Sequence, residues 1–270
     1  MVSIKTNSRS RDSESLDVVK NAREGVEEAL YWHTVGILAD SGATLGTAVA
    51  IRWNKHCIFL TANHVIRTTS DKDLRFYFRP SGTVVRDEWG SVPPGVIRLQ
   101  APTEIATFDR FEAPRMDVAA LIVSPILENQ VNVRFHDLSK NPKLPRPFLE
   151  PVAAIGYPAD SQKQFETNFP AIAACNIWGN LDSGKDWRPD DFKPRSQLLL
   201  KFLPAQFGRH PGGFSGAGIW YHTLTPKPGI WSPNLALAGI CTHYYPRRTF
   251  LLITRVERLV AFLNKIAPAG

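Results

Sequence analysis

Three side chains, far apart in the chain, are of the types that together perform acyl transfer. Ser215 lies in His210-Pro-Gly-Gly-Phe-Ser-Gly-Ala-Gly218, among glycines and directly before the apolar run Ile219-Trp220. A serine hydroxyl is a poor nucleophile at neutral pH and needs a base beside it. It also needs backbone N–H groups aimed at the oxyanion that develops. Glycines leave such groups accessible because they reach backbone angles denied to other residues. His64, in Phe59-Leu-Thr-Ala-Asn-His-Val65, closes an apolar run and stands where an imidazole can leave a sheet and face a cleft. Asp117 opens the apolar run Val118-Ala-Ala-Leu-Ile-Val123, where an unpartnered carboxylate is costly unless it is solvated or hydrogen-bonded to a specific donor. An imidazole N–H is such a donor, and the aspartate would then fix its tautomer. Singly, the three signals also fit a glycine turn, a structural histidine and a solvated strand end.

The elements around them read as β structure. Short apolar runs at 33–38, 45–53, 56–61, 74–79, 95–99, 117–123, 151–156, 171–177, 197–203, 216–221, 235–242 and 249–253 are separated by Gly, Pro and Asn. This pattern predicts all-β barrels or sandwiches. Residues 1–12 read as a polar tail, and 13–30 as an amphipathic helix with Leu16, Val19, Ala22, Val26 and Leu30 on one face. The Pro-rich segment 141–151 divides two β halves, 31–140 and 152–254, because proline cannot donate to a ladder. Segments 179–195 and 222–234 read as surface loops. A C-terminal helix over 255–270 is expected, with Thr254 and Glu257 forming a capping box and Val256, Leu259, Val260 and Leu263 its apolar face.

Composition narrows the function classes. The 270 residues are 43% hydrophobic and 21% charged, which excludes wholesale disorder, and no run reaches the ~18 apolar residues of a membrane helix. The first fifteen residues have no apolar core, so no secretory signal is read there, and three cysteines are too few for a disulfide framework. A cytoplasmic protein with reduced thiols is the expectation. Cys57 and Cys241 read as core residues, and His33, His56, His136 and His222 have no companions at metal-ligand spacing. The net charge of +7 reads as a solubility feature rather than a nucleic-acid footprint, because the basic residues are scattered and the densest cluster is Arg247-Arg248.

The chain order His64, Asp117, Ser215, with the first two before the Pro-rich segment and the third after it, is that of the chymotrypsin arrangement. The sequence resembles a chymotrypsin/trypsin-fold serine endopeptidase of the short bacterial trypsin-like type. The resemblance rests on Gly46-Thr-Ala-Val-Ala-Ile51, Leu60-Thr-Ala-Asn-His-Val65, Asp117-Val-Ala-Ala-Leu121, Ile155-Gly-Tyr-Pro158, Gly213-Phe-Ser-Gly216 and Leu237-Ala-Gly-Ile-Cys-Thr242. It spans about residues 31–265 and implies two six-stranded β-barrels, with the C-terminal helix and an extra N-terminal helix outside them. It further implies Ser215 as nucleophile, His64 as general base and acid, and Asp117 as its orienting group. The backbone N–H groups of Gly213 and Ser215 would form an oxyanion hole, and no metal or cofactor would be needed. Where digestive members place an aspartate before the nucleophile to receive a new N-terminus, this chain has Phe214, so no zymogen activation of that type is expected, and the loop must be held by local packing or set by a partner. Asn63 before the histidine departs from the usual alanine.

Arg209, His210, Thr242 and His243 fall at the substrate pocket by the same alignment. The positive or titratable groups among them would favour an acidic side chain, the alternative being that Arg209 points to solvent and the pocket takes a small or apolar residue. The expected partner is a protein or peptide substrate, and residues 13–30 could additionally bind a regulator or a second copy. The rival from another class is a catalytically silent trypsin-fold binding or scaffold module.

Overall fold

A computed structural model describes residues 23–78, 103–105, 107–141, 151–158, 175–182, 184, 187–202, 212–227 and 230–268. Residues 23–31 form helix α1. The first β unit contains β1 (Thr34–Ala39), β2 (Thr44–Trp53), β3 (His56–Ala62), β4 (Leu74–Tyr77), β5 (Phe108–Ala113), β6 (Val118–Val123) and β7 (His136–Asp137). Its described strands run β4-β1-β2-β3-β6-β5, with β7 pairing parallel to β2, and form a half-barrel among the described residues. The second unit is a closed six-stranded barrel, β10-β13-β12-β11-β8-β9. Its strands are β8 (Pro151–Gly156), β9 (Cys175–Asp182), β10 (Gln197–Phe202), β11 (Gly218–Lys227), β12 (Ile230–Tyr245) and β13 (Phe250–Arg255). Short helices α2 (Asn63–Ile66) and α3 (Leu127–Gln130) interrupt the first unit, and α4 (Val256–Ile266) ends the chain. Among the described residues no helix is long and apolar enough to cross a membrane. The mostly β architecture is compatible with a chymotrypsin-like fold.

The strands are apolar on both sides because both sides are buried. Ala48, Ala50, Phe59, Ala119 and Leu121 line the inside of the first unit. The alternate residues Val49, Ile51, Ile58, Leu60, Val118 and Ala120 enter a seam shared with the second barrel. Val152 and Ala154 point into that barrel, whereas Ala153 and Ile155 join the seam. This period-2 division between two cores follows directly from strand geometry. Val26 and Leu30 of α1, and Val256, Leu259 and Leu263 of α4, fill the same seam. Those two residues of the predicted N-terminal helix are therefore committed within the chain; the part of that prediction before residue 23 lies outside the described residues.

Several expectations change. Thr254 does not cap α4: it belongs to β13, the N-cap is Arg255 without a side-chain cap bond, and the helix starts at Val256. The Thr254 hydroxyl instead crosses the seam to donate to the Met116 carbonyl, 3.1 Å away. Residues 179–182 continue β9, and most of 222–234 is strand rather than loop, because β11 and β12 pair as a hairpin from Gly218↔Ile240 to Lys227↔Ile230. Strands β5 and β7 were not anticipated. The predicted strand at 95–99 and most of the 141–151 linker lie outside the described residues. All three cysteines are free, with Cys57 and Cys241 buried.

Seam histidines make the fold sensitive to acid. The ring of His33 lies 5.6 Å from Trp220 and 5.5 Å from His136, and its Nδ1–H donates to the Arg134 carbonyl at 2.6 Å. Burial pushes the His33 imidazole down to about 4; the Arg134 carbonyl opposes this, while the charges of His136 and Arg134 add to it. His136 is lowered for the same first reason, against a bond to Asn141. The folded state thus prefers neutral rings; the stability His33 contributes is complete above the unfolded value near 6.5 and is lost as pH falls toward 4, and His136 acts in the same direction. Urea midpoints measured between pH 7.5 and 4.5 should fall through this window, and His33→Gln should flatten the fall. An unchanged pH profile in that variant would contradict the assignment.

Candidate active site

His64 comes from α2, which starts the moment β3 ends. The first N–H groups of any helix lack internal acceptors. Here the Ala62 N-cap makes no side-chain bond, and Asp117 serves both donors. Its carbonyl accepts from Asn63 N–H at 3.0 Å and its Oδ1 from His64 N–H at 2.9 Å. Asp117 itself sits at φ 51°, closing a 3-10 turn over Pro114–Met116, with its N–H donating to the Pro114 carbonyl. Aspartate is among the few non-glycine residues that tolerate this left-handed region. Its second oxygen, Oδ2, is 2.6 Å from His64 Nδ1. A carboxylate there selects the tautomer with the proton on Nδ1 and leaves Nε2 as an acceptor. That nitrogen faces Ser215 Oγ at 2.9 Å. The side chains of His64 and Asp117 are 36% and 35% exposed, so the imidazole reaches solvent.

Ser215 stands on a turn whose shape depends on glycine at two positions. Gly213 has φ 98° and Gly216 has φ 91°. At Gly216 a Cβ would fall 1.8 Å from the Thr47 carbonyl oxygen and 2.3 Å from Thr61 Oγ1, so no other residue fits. Gly216 N–H donates to the Cys241 carbonyl at 2.7 Å, and Cys241 N–H to the Ala217 carbonyl at 2.9 Å. Among the described residues nothing accepts from the N–H groups of Gly213 or Ser215. The phenyl ring of Phe214 is buried in the core of the second barrel, which supplies local packing for the loop.

Thr47 ties this turn to the first unit. Its N–H donates to the Ser215 carbonyl at 2.9 Å, and its hydroxyl donates to the Gly213 carbonyl at 2.7 Å while accepting from Tyr157 N–H at 3.0 Å. Its own carbonyl accepts the Thr61 hydroxyl at 2.6 Å. Both threonines are fully buried. Arg110 of β5 secures the other end of α2, donating to the carbonyls of Ile66 at 2.8 Å and Thr69 at 3.0 Å and to Asp71 at 2.9 Å. Neither Thr47 nor Arg110 was singled out from sequence as a site residue. The available signal for the threonines was a hydroxyl at an inward position of an otherwise apolar strand, which burial must satisfy.

The predicted residues separate into three groups. His64, Asp117, Ser215 and Gly213 meet at one place. Arg209 and His210 lie outside the described residues. Thr242 is buried at a β-bulge between β12 and β13, and its hydroxyl donates to the Leu252 carbonyl at 3.4 Å; His243 is exposed.

No family model matches the sequence, and no curated protein matches it. Among solved structures, the chain is similar to one described as "Aromatic interactions drive the coupled folding and binding of the intrinsically disordered Sesbania mosaic virus VPg protein". The TM-score is 0.47 and the identity 11%, over 86% of this chain and 89% of that one.

Thr47→Val preserves volume but removes the hydroxyl that both the Gly213 carbonyl and the Tyr157 N–H use. The expected cost is about 2 kcal/mol, the scale of leaving buried polar groups unsatisfied, read as a lower urea midpoint. Thr47→Ser should keep most of that stability; equal losses in the two variants would remove the hydroxyl from this role.

Proposed function

We propose that the chain is a serine endopeptidase of the chymotrypsin-like two-barrel type, hydrolysing peptide bonds in protein substrates through an acyl-enzyme. The observation that carries this reading is the pair of hydrogen bonds linking Asp117 Oδ2, His64 Nδ1, His64 Nε2 and Ser215 Oγ. A base within about 3 Å of a hydroxyl can take its proton as the oxygen attacks. In this reading Ser215 Oγ bonds to the scissile carbonyl carbon, and its proton passes to His64 Nε2. The imidazolium faces the Asp117 carboxylate and then returns the proton to the departing amine as the C–N bond breaks. Water, deprotonated by the same nitrogen, releases the acid product and restores the serine. The N–H groups of Gly213 and Ser215, which find no acceptor among the described residues, are the donors for the oxyanion.

The substrate backbone has a place to lie in this reading. Strand β12 pairs with β11 only as far as Ile240, but with β13 as far as Tyr245. In this reading an extended substrate peptide runs as a further antiparallel strand along β12 from Thr242 onward, where the described pairing with β11 has ended.

A fluorophosphonate probe should label the wild-type chain at Ser215 and leave Ser215→Ala unlabelled. Hydrolysis of an unfolded protein substrate should drop by about 10⁴-fold or more in Ser215→Ala, and by a comparable factor in His64→Ala. A properly folded wild-type chain that never forms the adduct would return the silent binding module.

A further inference from the structure

The densest pair of basic residues in the sequence, Arg247 and Arg248, is not used by the site described so far. It lies on the turn between β12 and β13, residues 246–249, where both arginines are exposed. This turn continues β12, which runs past the Ser215 turn. The contact of Cys241 with Gly216 and Ala217 fixes one end of that stretch beside Ser215, and Tyr245 ends it. Arg247 follows Tyr244 by three residues, a span of at most about 10 Å because the chain turns at 246–249.

Beneath the turn is an aromatic shelf. The guanidinium of Arg248 stands 5.9 Å above the ring of Trp187. Trp187 stacks on Phe250 at 5.4 Å with 23° between planes, and meets Tyr245 edge-on at 5.2 Å. Tyr245 in turn contacts the exposed His243 at 4.7 Å, which joins the shelf to the stretch nearest Ser215. A guanidinium held over an aromatic face keeps its N–H edge free for a carboxylate. Among the described residues neither Arg247 nor Arg248 forms an ion pair, although eight arginine or lysine pairs are formed elsewhere among them. The other charges around the shelf are Arg188, next to Trp187, and the carboxylates Asp190 and Asp191 of the same loop; the turn itself carries two arginines and no acid.

We propose that the Arg247-Arg248 turn and its Trp187 shelf dock an acidic stretch of the substrate polypeptide, upstream of the bond presented to Ser215. This rests on the endopeptidase reading. An antiparallel strand added to β12 beside Thr242–Tyr244 runs with its N-terminal part toward Tyr245. Its fourth to sixth residues before the scissile bond then come within reach of the two guanidinium groups. Exposed charge pairs contribute little singly, but two arginines acting on a cluster of carboxylates give a preference of about tenfold.

The test has a binding arm and a turnover arm. Fluorescein-labelled octaglutamate should bind the Ser215→Ala chain in anisotropy titrations, and more weakly as salt rises. Binding should fall about tenfold in the Arg247→Ala/Arg248→Ala double variant and persist in Arg247→Lys/Arg248→Lys. In the turnover arm, peptides carrying Glu rather than Lys at the fourth to sixth upstream positions should have about tenfold higher kcat/KM, with the ratio near one in the double Ala variant. Octaglutamate binding that ignores both arginines, or no binding at all, overturns the proposal. So does an RNA octamer that binds as tightly through the same arginines, since it would assign the surface to nucleic acid. Absence of fluorophosphonate labelling would instead sink the endopeptidase reading, and arginine-dependent binding of octaglutamate without labelling would leave an acidic-peptide dock on a silent fold.

Discussion

The site depends on buried polar backbone between two β units being satisfied by side chains from the opposite unit. Thr47, from the half-barrel, holds the Gly213 and Ser215 carbonyls of the turn that belongs to the closed barrel. Thr254, from the closed barrel, holds the Met116 carbonyl next to Asp117 in the half-barrel. Each unit therefore fixes the other's contribution to the His64–Ser215 contact. The energy of docking comes from elsewhere, from the seam that gathers Ile51, Leu60, Ile155, Trp220, Leu237 and Leu259. Apolar burial is non-directional, so it brings the units together without choosing a register. The threonine bonds choose it, because a shift of a few ångströms would strand buried carbonyls and hydroxyls without partners.

The same logic accounts for what could be read from the sequence. Strands whose two faces enter two cores are continuous apolar runs, and these were legible nearly to the residue at 56–61, 151–156 and 197–203. His64 and Asp117 were legible because each interrupts such a run at its end. Strand β5, Phe-Asp-Arg-Phe-Glu-Ala, was not legible: its residues are half-buried or exposed, and it pairs on one side with β6. The arm formed by β11 and β12 beyond Leu235 was hidden by Pro226 and Pro233, which read as breakers. Among the described pairings that arm is two strands wide, so each proline can direct its missing donor away from the ladder.

Helix α1 shows where periodicity ends as a guide. Its apolar spacing identified a buried face but not the surface that covers it. That surface spans the seam: Val26 and Leu30 pack into it, and on the closed barrel Trp178 Nε1–H donates to Glu27 at 2.9 Å, with the Arg23 guanidinium 5.0 Å over the same indole. Thr34 and His33 then return to the helix end by bonding the Leu30 carbonyl. Residues that precede the first strand thus brace the second barrel. An isolated helix of this length is marginal in water, so its order is supplied by the seam, and its polar face keeps the contacts with Trp178.

The Ser215 turn is held, among the described residues, by contacts that are not ion pairs. Phe214 buries its ring beside Gly156, where a Cβ would come within 2.9 Å of the phenyl, and Thr47 fixes the carbonyl of the preceding glycine. Both contacts are made by neutral groups. An ion pair between a carboxylate and a terminal amine forms only between the two titrations and weakens with salt, whereas ring burial and a hydroxyl–carbonyl bond depend on neither. The anchors of this turn that the structure describes include Thr47, where the two β units meet, so its shape is coupled to packing of the seam.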